Sequence, residues 1–284
     1  MKVLVLGANG MIGHVMFRVL SQHPDWMVVG TERTRTAPSD HSAIISKNLM
    51  AGIDLTCADV LTKLFAHVKP EVVVNCAGLT KHLPDSGDPL KALPINSLLP
   101  HRLADLCLLS NARLIHVSTD CVFSGEKGNY LETDRPDAID VYGKSKELGE
   151  VKDRDAITLR TSTIGHELNS HYGLLEWFLL QSTCKGYNKA IFSGLPSVEF
   201  ARVVRDVVIP NKALKGLYQV GASPIDKNTL LNMIASQYGK KVDIIPDDLV
   251  QIDRSLNTNL FKSATGYVAP SWPTLIEMMH QFKI

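Results

Sequence analysis

The chain has 284 residues, enough for about two domains or for one large α/β domain with an appended lobe. Hydrophobic residues make up 45% and charged residues 21%, the balance of an ordinary globular protein rather than a disordered one. A formal charge of +1, from 30 Lys and Arg against 29 Asp and Glu, excludes broad attraction to nucleic acid or anionic lipid and leaves only local basic pockets.

Five cysteines (Cys57, Cys76, Cys107, Cys121 and Cys184) are an odd number with no Cys-x-x-Cys pair. That argues against a disulfide framework or a zinc–thiolate centre and suits a reducing compartment. The apolar run at residues 3–6 is too short for a signal peptide, and no run reaches the roughly 18 residues of a membrane span. These features predict a cytoplasmic protein with no nucleic-acid or membrane partner and no metal.

Short β-branched runs alternate with helical patterns through the first half of the chain. Strands are predicted over residues 2–6, 26–31, a short stretch near Ile53, 71–75, 113–118 and 156–160. Helices are predicted between them, over residues 11–22, 58–68, 97–109 and 141–152. Val72, Val73 and Val74 form a continuous apolar run, as do Leu114 and Ile115 with Val117, which fits strands buried on both faces of a parallel sheet. The expectation is a Rossmann-type doubly wound α/β sheet with ligands at the carboxyl ends of its strands.

After Thr161 the rhythm loosens. Pro210, Pro224, Pro246, Pro270 and Pro273 punctuate shorter elements, with strands predicted at residues 217–220 and 242–245. We expect a dinucleotide-binding domain over residues 1–164 and a smaller α/β substrate-binding lobe over residues 165–284, with a soft boundary and interleaved segments.

Gly7-Ala8-Asn9-Gly10-Met11-Ile12-Gly13 joins the first strand to the first helix. Gly7 suits the tight turn, Gly10 lets backbone N–H groups approach a pyrophosphate, and Gly13 permits close helix–strand packing. The spacing is G-x-x-G-x-x-G, a weak pattern alone that gains weight from following a strand and opening a helix. Near the second strand's end stand Glu32, Arg33 and Arg35. A carboxylate there suits the ribose of NAD, whereas an arginine suits the 2′-phosphate of NADP. Two cations against one carboxylate favour NADP, with NAD as the alternative.

Tyr142 and Lys146 are four residues apart and share a helix face. Thr119 and Asp120 close the fifth strand. A phenol with a pKa of about 10 needs roughly 4 kcal/mol of preferential anion stabilisation to work as an acid–base group near neutrality. An ammonium one turn away could contribute, and the Thr119 hydroxyl could hold a substrate carbonyl beside the phenol.

Together these residues resemble the extended short-chain dehydrogenase/reductases, and within them the dTDP-4-dehydrorhamnose reductases and related nucleotide-sugar 4-ketoreductases. The matching pieces are Gly7 to Gly13, Asp54-Leu55-Thr56, Asn75-Cys76-Ala77-Gly78, Asn96, Ser118 to Phe123, Tyr130-x-Glu132-x-Asp134, Tyr142 to Lys146, and Leu159-Arg160-Thr161. Weaker echoes follow at Arg254-Ser255-Leu256 and Pro270-Ser271-Trp272.

The resemblance implies Thr119, Tyr142 and Lys146 as the catalytic trio. It implies that Gly7, Asn9, Gly10, Met11, Ile12, Gly13, Arg33, Arg35, Asp54, Leu55, Asn75, Cys76 and Ala77 line the cofactor, with Tyr142 and Lys146. Candidate substrate contacts are Thr80, Asp120, Phe123 and Arg254, the last for the phosphates. The dehydratases of this superfamily follow the strand-end Thr with Asp-Glu, whereas here Asp120 precedes Cys121, a poor proton donor for eliminating water.

The expected activity is therefore NADPH-dependent reduction of the 4-keto group of a nucleotide-activated 6-deoxyhexose, in deoxysugar and cell-surface polysaccharide biosynthesis, by a chain that could form homodimers. The alternatives are a non-catalytic NADP-binding regulatory subunit, like the β subunit of methionine adenosyltransferase, and a nucleotide-sugar epimerase or dehydratase. His166 and His171 are five residues apart, about 140° around a helix, and cannot clasp one metal from one face. His116 reads as a core residue, Lys81 and His82 as substrate-facing or solvated, and Trp272 as core packing.

Overall fold

The structure, a computed structural model, describes residues 1–34, 47–168 and 170–282. In its first half, strand and helix alternate. The strands are β1 (Lys2–Leu6), β2 (Met27–Thr31), β3 (Leu49–Met50), β4 (Val72–Asn75), β5 (Arg113–Thr119) and β6 (Ala156–Thr161). The helices between them are α1 (Met11–Leu20), α2 (Ala58–Val68), α3 (Pro89–Ala92), α4 (Leu99–Leu109) and α5 (Val141–Leu148).

β1 to β6 join a later strand, β10 (Gly216–Gln219), in one parallel sheet of order β10-β6-β5-β4-β1-β2-β3. The order reverses between β1 and β4, so the chain leaves these neighbouring strands towards opposite sides and opens a crevice beyond their carboxyl ends. Both faces are buried, as the continuous apolar runs demand. Val3, Val5, Val72, Val74, Ile115 and Val117 face one core, with Val15 and Phe17 of α1. The alternate residues Leu4, Leu6, Val73 and Leu114 face the other, with Leu61, Leu64 and Leu103.

Three local features differ from expectation. The short strand expected near Ile53 lies earlier, at Leu49–Met50, paired with Gly30 and Thr31. Gly52 at φ +76° turns the chain there, and a two-residue edge strand carries too little pattern to locate from sequence. The helix expected from residue 97 begins at Pro89 and runs through a π-helical turn, Leu93–Leu98, into α4. The helix expected to reach residue 152 stops at Leu148, because Gly149 lies against the Asn96 carbonyl, 1.9 Å from where a Cβ would stand.

The second half adds a three-stranded sheet with its helices and repeatedly returns to the first. Thr163–Ile164 (β7) pairs with Leu195–Pro196 (β9), and a helix, α6 (Leu174–Leu179), lies between them in sequence. β8 (Thr183–Phe192) is the middle strand of a second sheet, antiparallel to β11 (Ile225–Asp226) and parallel to β12 (Asp243–Asp253). The helices α7 (Ser197–Val203), α8 (Lys227–Tyr238), α9 (Asn259–Thr265) and α10 (Trp272–Gln281) complete it. Phe200, Val204, Leu230 and Leu275 share one core with α1, and β10 extends the large sheet beside β6. Trp272 is core, its indole N–H donating to the Ser223 carbonyl at 2.7 Å. Among the described residues no helix is long and apolar enough to cross a membrane.

Candidate active site

The crevice between β1 and β4 is lined largely by backbone. Gly7, at φ +77°, makes the turn that L side chains avoid, and a Cβ there would lie 2.9 Å from Ala77 Cα. The turn after β1 and the end of β4 therefore touch. Gly10 is the N-cap of α1, exposed, and makes no side-chain cap hydrogen bond. Its missing Cβ would meet only the Gly7 carbonyl, at 3.5 Å. A bare helix N-terminus opening on a strand-end crevice fits the pyrophosphate of a dinucleotide, through backbone donors and the helix dipole. Asn9, Met11 and Ile12 are partly exposed along the same turn, whereas Gly13 is buried under it.

At the far edge Leu55 is buried and Asp54 exposed. The Asp54 carboxylate accepts from the Thr56 N–H at 2.9 Å and hydroxyl at 2.7 Å, which hold it below its ordinary range, with a smaller contribution from the Arg33 charge. Arg33 is exposed and reaches the same edge, while Glu32 is buried. Arg35 lies outside the described residues. Asn75 is fully buried and braces the loop after β4, with its amide 3.1 Å from His116 Nδ1 and its oxygen accepting from the Ala77 N–H. Burial pushes the Cys76 thiol up to about 12, so it stays protonated.

Thr119, Tyr142 and Lys146 meet where β5 ends. Asp140 caps α5 by accepting from the Gly143 N–H at 2.8 Å. Gly143 lets the helix press onto the turn after β5, since a Cβ there would lie 2.3 Å from the Cys121 carbonyl. That close approach carries Tyr142 to Thr119, whose hydroxyl also accepts from the Cys121 N–H at 3.1 Å. Lys146 is 6% exposed and donates to the Val117 carbonyl at 2.8 Å.

The electrostatics differ from the simple expectation for the phenol. Burial raises the Tyr142 hydroxyl well above its ordinary value, the Cys121 and Asp120 charges add to this, and the Thr119 hydrogen bond opposes it. The ammonium expected to counter this points at the Val117 carbonyl instead. Burial lowers Lys146 to about 8, against the pull of Glu150 and Cys76. Tyr142 is thus protonated, but as a weaker acid than a free phenol, the opposite of the stabilisation expected.

Asp120, expected to contact substrate, is raised by burial, opposed chiefly by Arg254. Arg254 is partly buried and donates from Nε to the Phe123 carbonyl at 2.8 Å, which fixes it beside the catalytic strand end. Thr80 is exposed on the loop after β4. Phe123 corrects its expectation. Its ring is fully buried, stacked on Tyr130 at 4.0 Å and 5.0 Å from the Arg160 guanidinium, so the ring is not open to a ligand.

Asn96 was singled out in the sequence without a role, and Lys227 escaped it. Asn96 clamps the site by accepting from the Leu79 N–H and donating to the Leu79 carbonyl and the Ser145 hydroxyl, at 2.9 to 3.0 Å. It stands in the π-helical turn, a local feature frequent at functional sites and invisible to a 3.6-residue pattern. Lys227 opens α8, with its ammonium 5.0 Å from the Phe192 ring centre, and burial lowers it against the attraction of Asp120 and Cys121. It comes from a different strand–helix unit, so no local spacing links it to Asp120. Lys81 pairs with Asp140 at 3.3 Å. His166, by contrast, is held by Glu176 at 2.6 Å and Tyr238 at 3.1 Å.

A strand order that reverses beside an uncapped, glycine-lined helix N-terminus, with Thr, Tyr and Lys converging two strands away, defines a dinucleotide-binding fold of the short-chain dehydrogenase/reductase type. Residues 1–172 match the RmlD substrate binding domain, and the chain belongs to that family. Over 169 residues it is 34% identical to a Haloferax volcanii protein named "probable low-salt glycan biosynthesis reductase", covering 58% of this chain and 54% of that one. Over 176 residues it is 28% identical to the dTDP-4-dehydrorhamnose reductase of Aggregatibacter actinomycetemcomitans, covering 60% and 54%. The matches span about half the length of these two relatives. The fold is similar to a Bacillus anthracis dTDP-4-dehydrorhamnose reductase crystallised with NADP, with a TM-score of 0.80, 20% identity, and 99% of each chain covered.

Proposed function

We propose that this protein is a reductase that uses NADPH, or NADH less well, to reduce the 4-keto group of a nucleotide-activated 6-deoxyhexose in polysaccharide biosynthesis. The observation that carries this reading is the meeting of a protonated Tyr142 with the Thr119 hydroxyl at the end of β5, beside the glycine-lined crevice. A bound nicotinamide coenzyme would supply the hydride equivalent. Thr119 orients the substrate carbonyl oxygen, and Tyr142 delivers the proton that this oxygen needs once C4 is reduced. Lys146, held on the Val117 carbonyl one helical turn from the phenol, would serve the ribose of the coenzyme. Asp120, buried and protonated more readily than an ordinary carboxyl, would leave Arg254 and Lys227 free to meet the substrate's diphosphate.

The five unpaired thiols support a cytoplasmic setting. Cys121 follows Asp120 where a dehydratase carries its Glu, which supports simple reduction. The test offers dTDP-, UDP- and GDP-4-keto-6-deoxyhexoses with NADPH and follows loss of the reduced coenzyme. Turnover of one of them supports the reading. Tight NADPH binding with no turnover of any would favour the regulatory-subunit alternative.

A further inference from the structure

Behind the catalytic trio lies a buried ion pair that the proposed chemistry does not use. The side chains of Glu150 and Arg160 are both completely excluded from solvent. Arg160, on β6, donates from Nε to Glu150 Oε1 at 2.6 Å and from Nη2 to Oε2 at 2.8 Å, a two-pronged clamp. Ser118, on β5, donates its hydroxyl to the same carboxylate at 2.9 Å. Lys146 donates to the carbonyl of Val117, the neighbouring residue on that strand. Carboxylate and ammonium are therefore tied to successive residues of the strand that ends in Thr119. Replacing such a pair by apolar residues is often neutral for stability, so stability alone gives weak reason for its presence.

We propose that Glu150 is a positioning residue for the catalytic trio: fixed by Arg160 and Ser118, its carboxylate supplies the countercharge that keeps Lys146 an ammonium. This rests on the reading of Lys146 as part of the active site. The groups facing Lys146 are few. From the loop after β4 comes Cys76, a protonated thiol, and from β5 comes His116, which burial and then Lys146 itself push well below its ordinary value, leaving it neutral. Neither carries charge near neutrality. Glu150 is the foremost group opposing the burial that lowers Lys146 to about 8. The remaining cation near Glu150 is Lys152, 3.2 Å from Oε2 and half in solvent, where its field is screened.

The sign follows directly. Without the Glu150 charge, burial acts on Lys146 unopposed, and the proton leaves at lower pH. The test compares wild type, Glu150→Gln, Arg160→Met and Glu150→Gln/Arg160→Met by NMR titration of the Lys146 side chain, assigned with Lys146→Met. The double variant removes the orphaned guanidinium that would otherwise threaten folding of the single one. We expect the Lys146 midpoint to fall by about one pH unit or more in Glu150→Gln, a tenfold change in proton affinity, and by less in the double variant, which also removes the repelling guanidinium. The basic limb of kcat should move down with it. An unmoved midpoint in Glu150→Gln, or, where that variant does not fold, no rise of the midpoint in Arg160→Met, which leaves the carboxylate uncompensated, overturns the proposal and leaves the pair a structural tie. The NMR readout needs no substrate, so a chain that reduces no keto sugar yet shows the fall would sink the reductase reading and keep this one.

Discussion

The two walls of the cleft are built from different materials. The wall under β1 and β4 is backbone and small residues: Gly7, Gly10, Ala77 and the fully buried Asn75, all fixed within the first 77 positions. The facing wall is made of long charged side chains that arrive from distant segments, Arg254 from the end of β12 and Lys227 from the start of α8. A wall of backbone tolerates little change, because each missing Cβ is a steric requirement. A wall of side chains can be retuned one residue at a time, because its flexible cations bind through reach and charge. The first wall suits a shared cofactor and the second a particular substrate.

The largest expected effect lies where the walls meet. Tyr142→Phe removes the proton donor and leaves the ring packing, so we expect kcat to fall at least about 100-fold with NADPH affinity little changed. Near wild-type turnover would remove Tyr142 from the chemistry altogether.

Gly10→Val attacks the backbone wall alone. The N-cap at φ −78° is open to any residue, and the added Cβ meets nothing closer than 3.5 Å, so the fold should persist with native circular dichroism. The side chain would stand over the first-turn N–H groups, and NADPH affinity measured by calorimetry should fall by about 100-fold or more, the scale of two lost charge-assisted hydrogen bonds. Undiminished affinity would make the turn purely structural.

Lys227→Met attacks the opposite wall. We expect KM for the nucleotide sugar to rise about tenfold, the scale of one charge-assisted hydrogen bond, with NADPH affinity unmoved. Arg254→Ala should raise KM by more, since its loss also frees the Phe123 carbonyl. If either variant weakened coenzyme and left sugar binding intact, the division of labour between the walls would be wrong.

The smallest effect concerns coenzyme choice. Arg33→Ala should reduce the NADPH-over-NADH ratio of kcat/KM by about threefold to tenfold, because the side chain is exposed and screened. A wild type that prefers NADH would instead assign the ribose to the buried Glu32.

Much of this molecule was legible in residue order. The continuous valines of β4 required a doubly buried strand, and the glycines at positions 7, 10 and 13 marked the turn because backbone sterics are local. Tyr142 and Lys146 were legible for the same reason, since four residues make one helical turn. Phe123 was misjudged because sequence cannot say which face of a strand-end turn looks inward. Here stacking on Tyr130 decided it.

What the tertiary structure alone decided is everything that depends on distance through space between segments far apart in the chain. Lys227 reaches the field of Asp120 across 107 positions because α8 packs against β8 and faces the catalytic strand end. Tyr142 stays protonated because burial, which no residue spacing encodes, outweighs its hydrogen bond with Thr119. Glu150 meets Arg160 because β5 and β6 run in parallel register, with Ser118 beside Arg160. Local geometry writes itself into spacing, whereas desolvation and charge pairing exist only once the chain has closed around them.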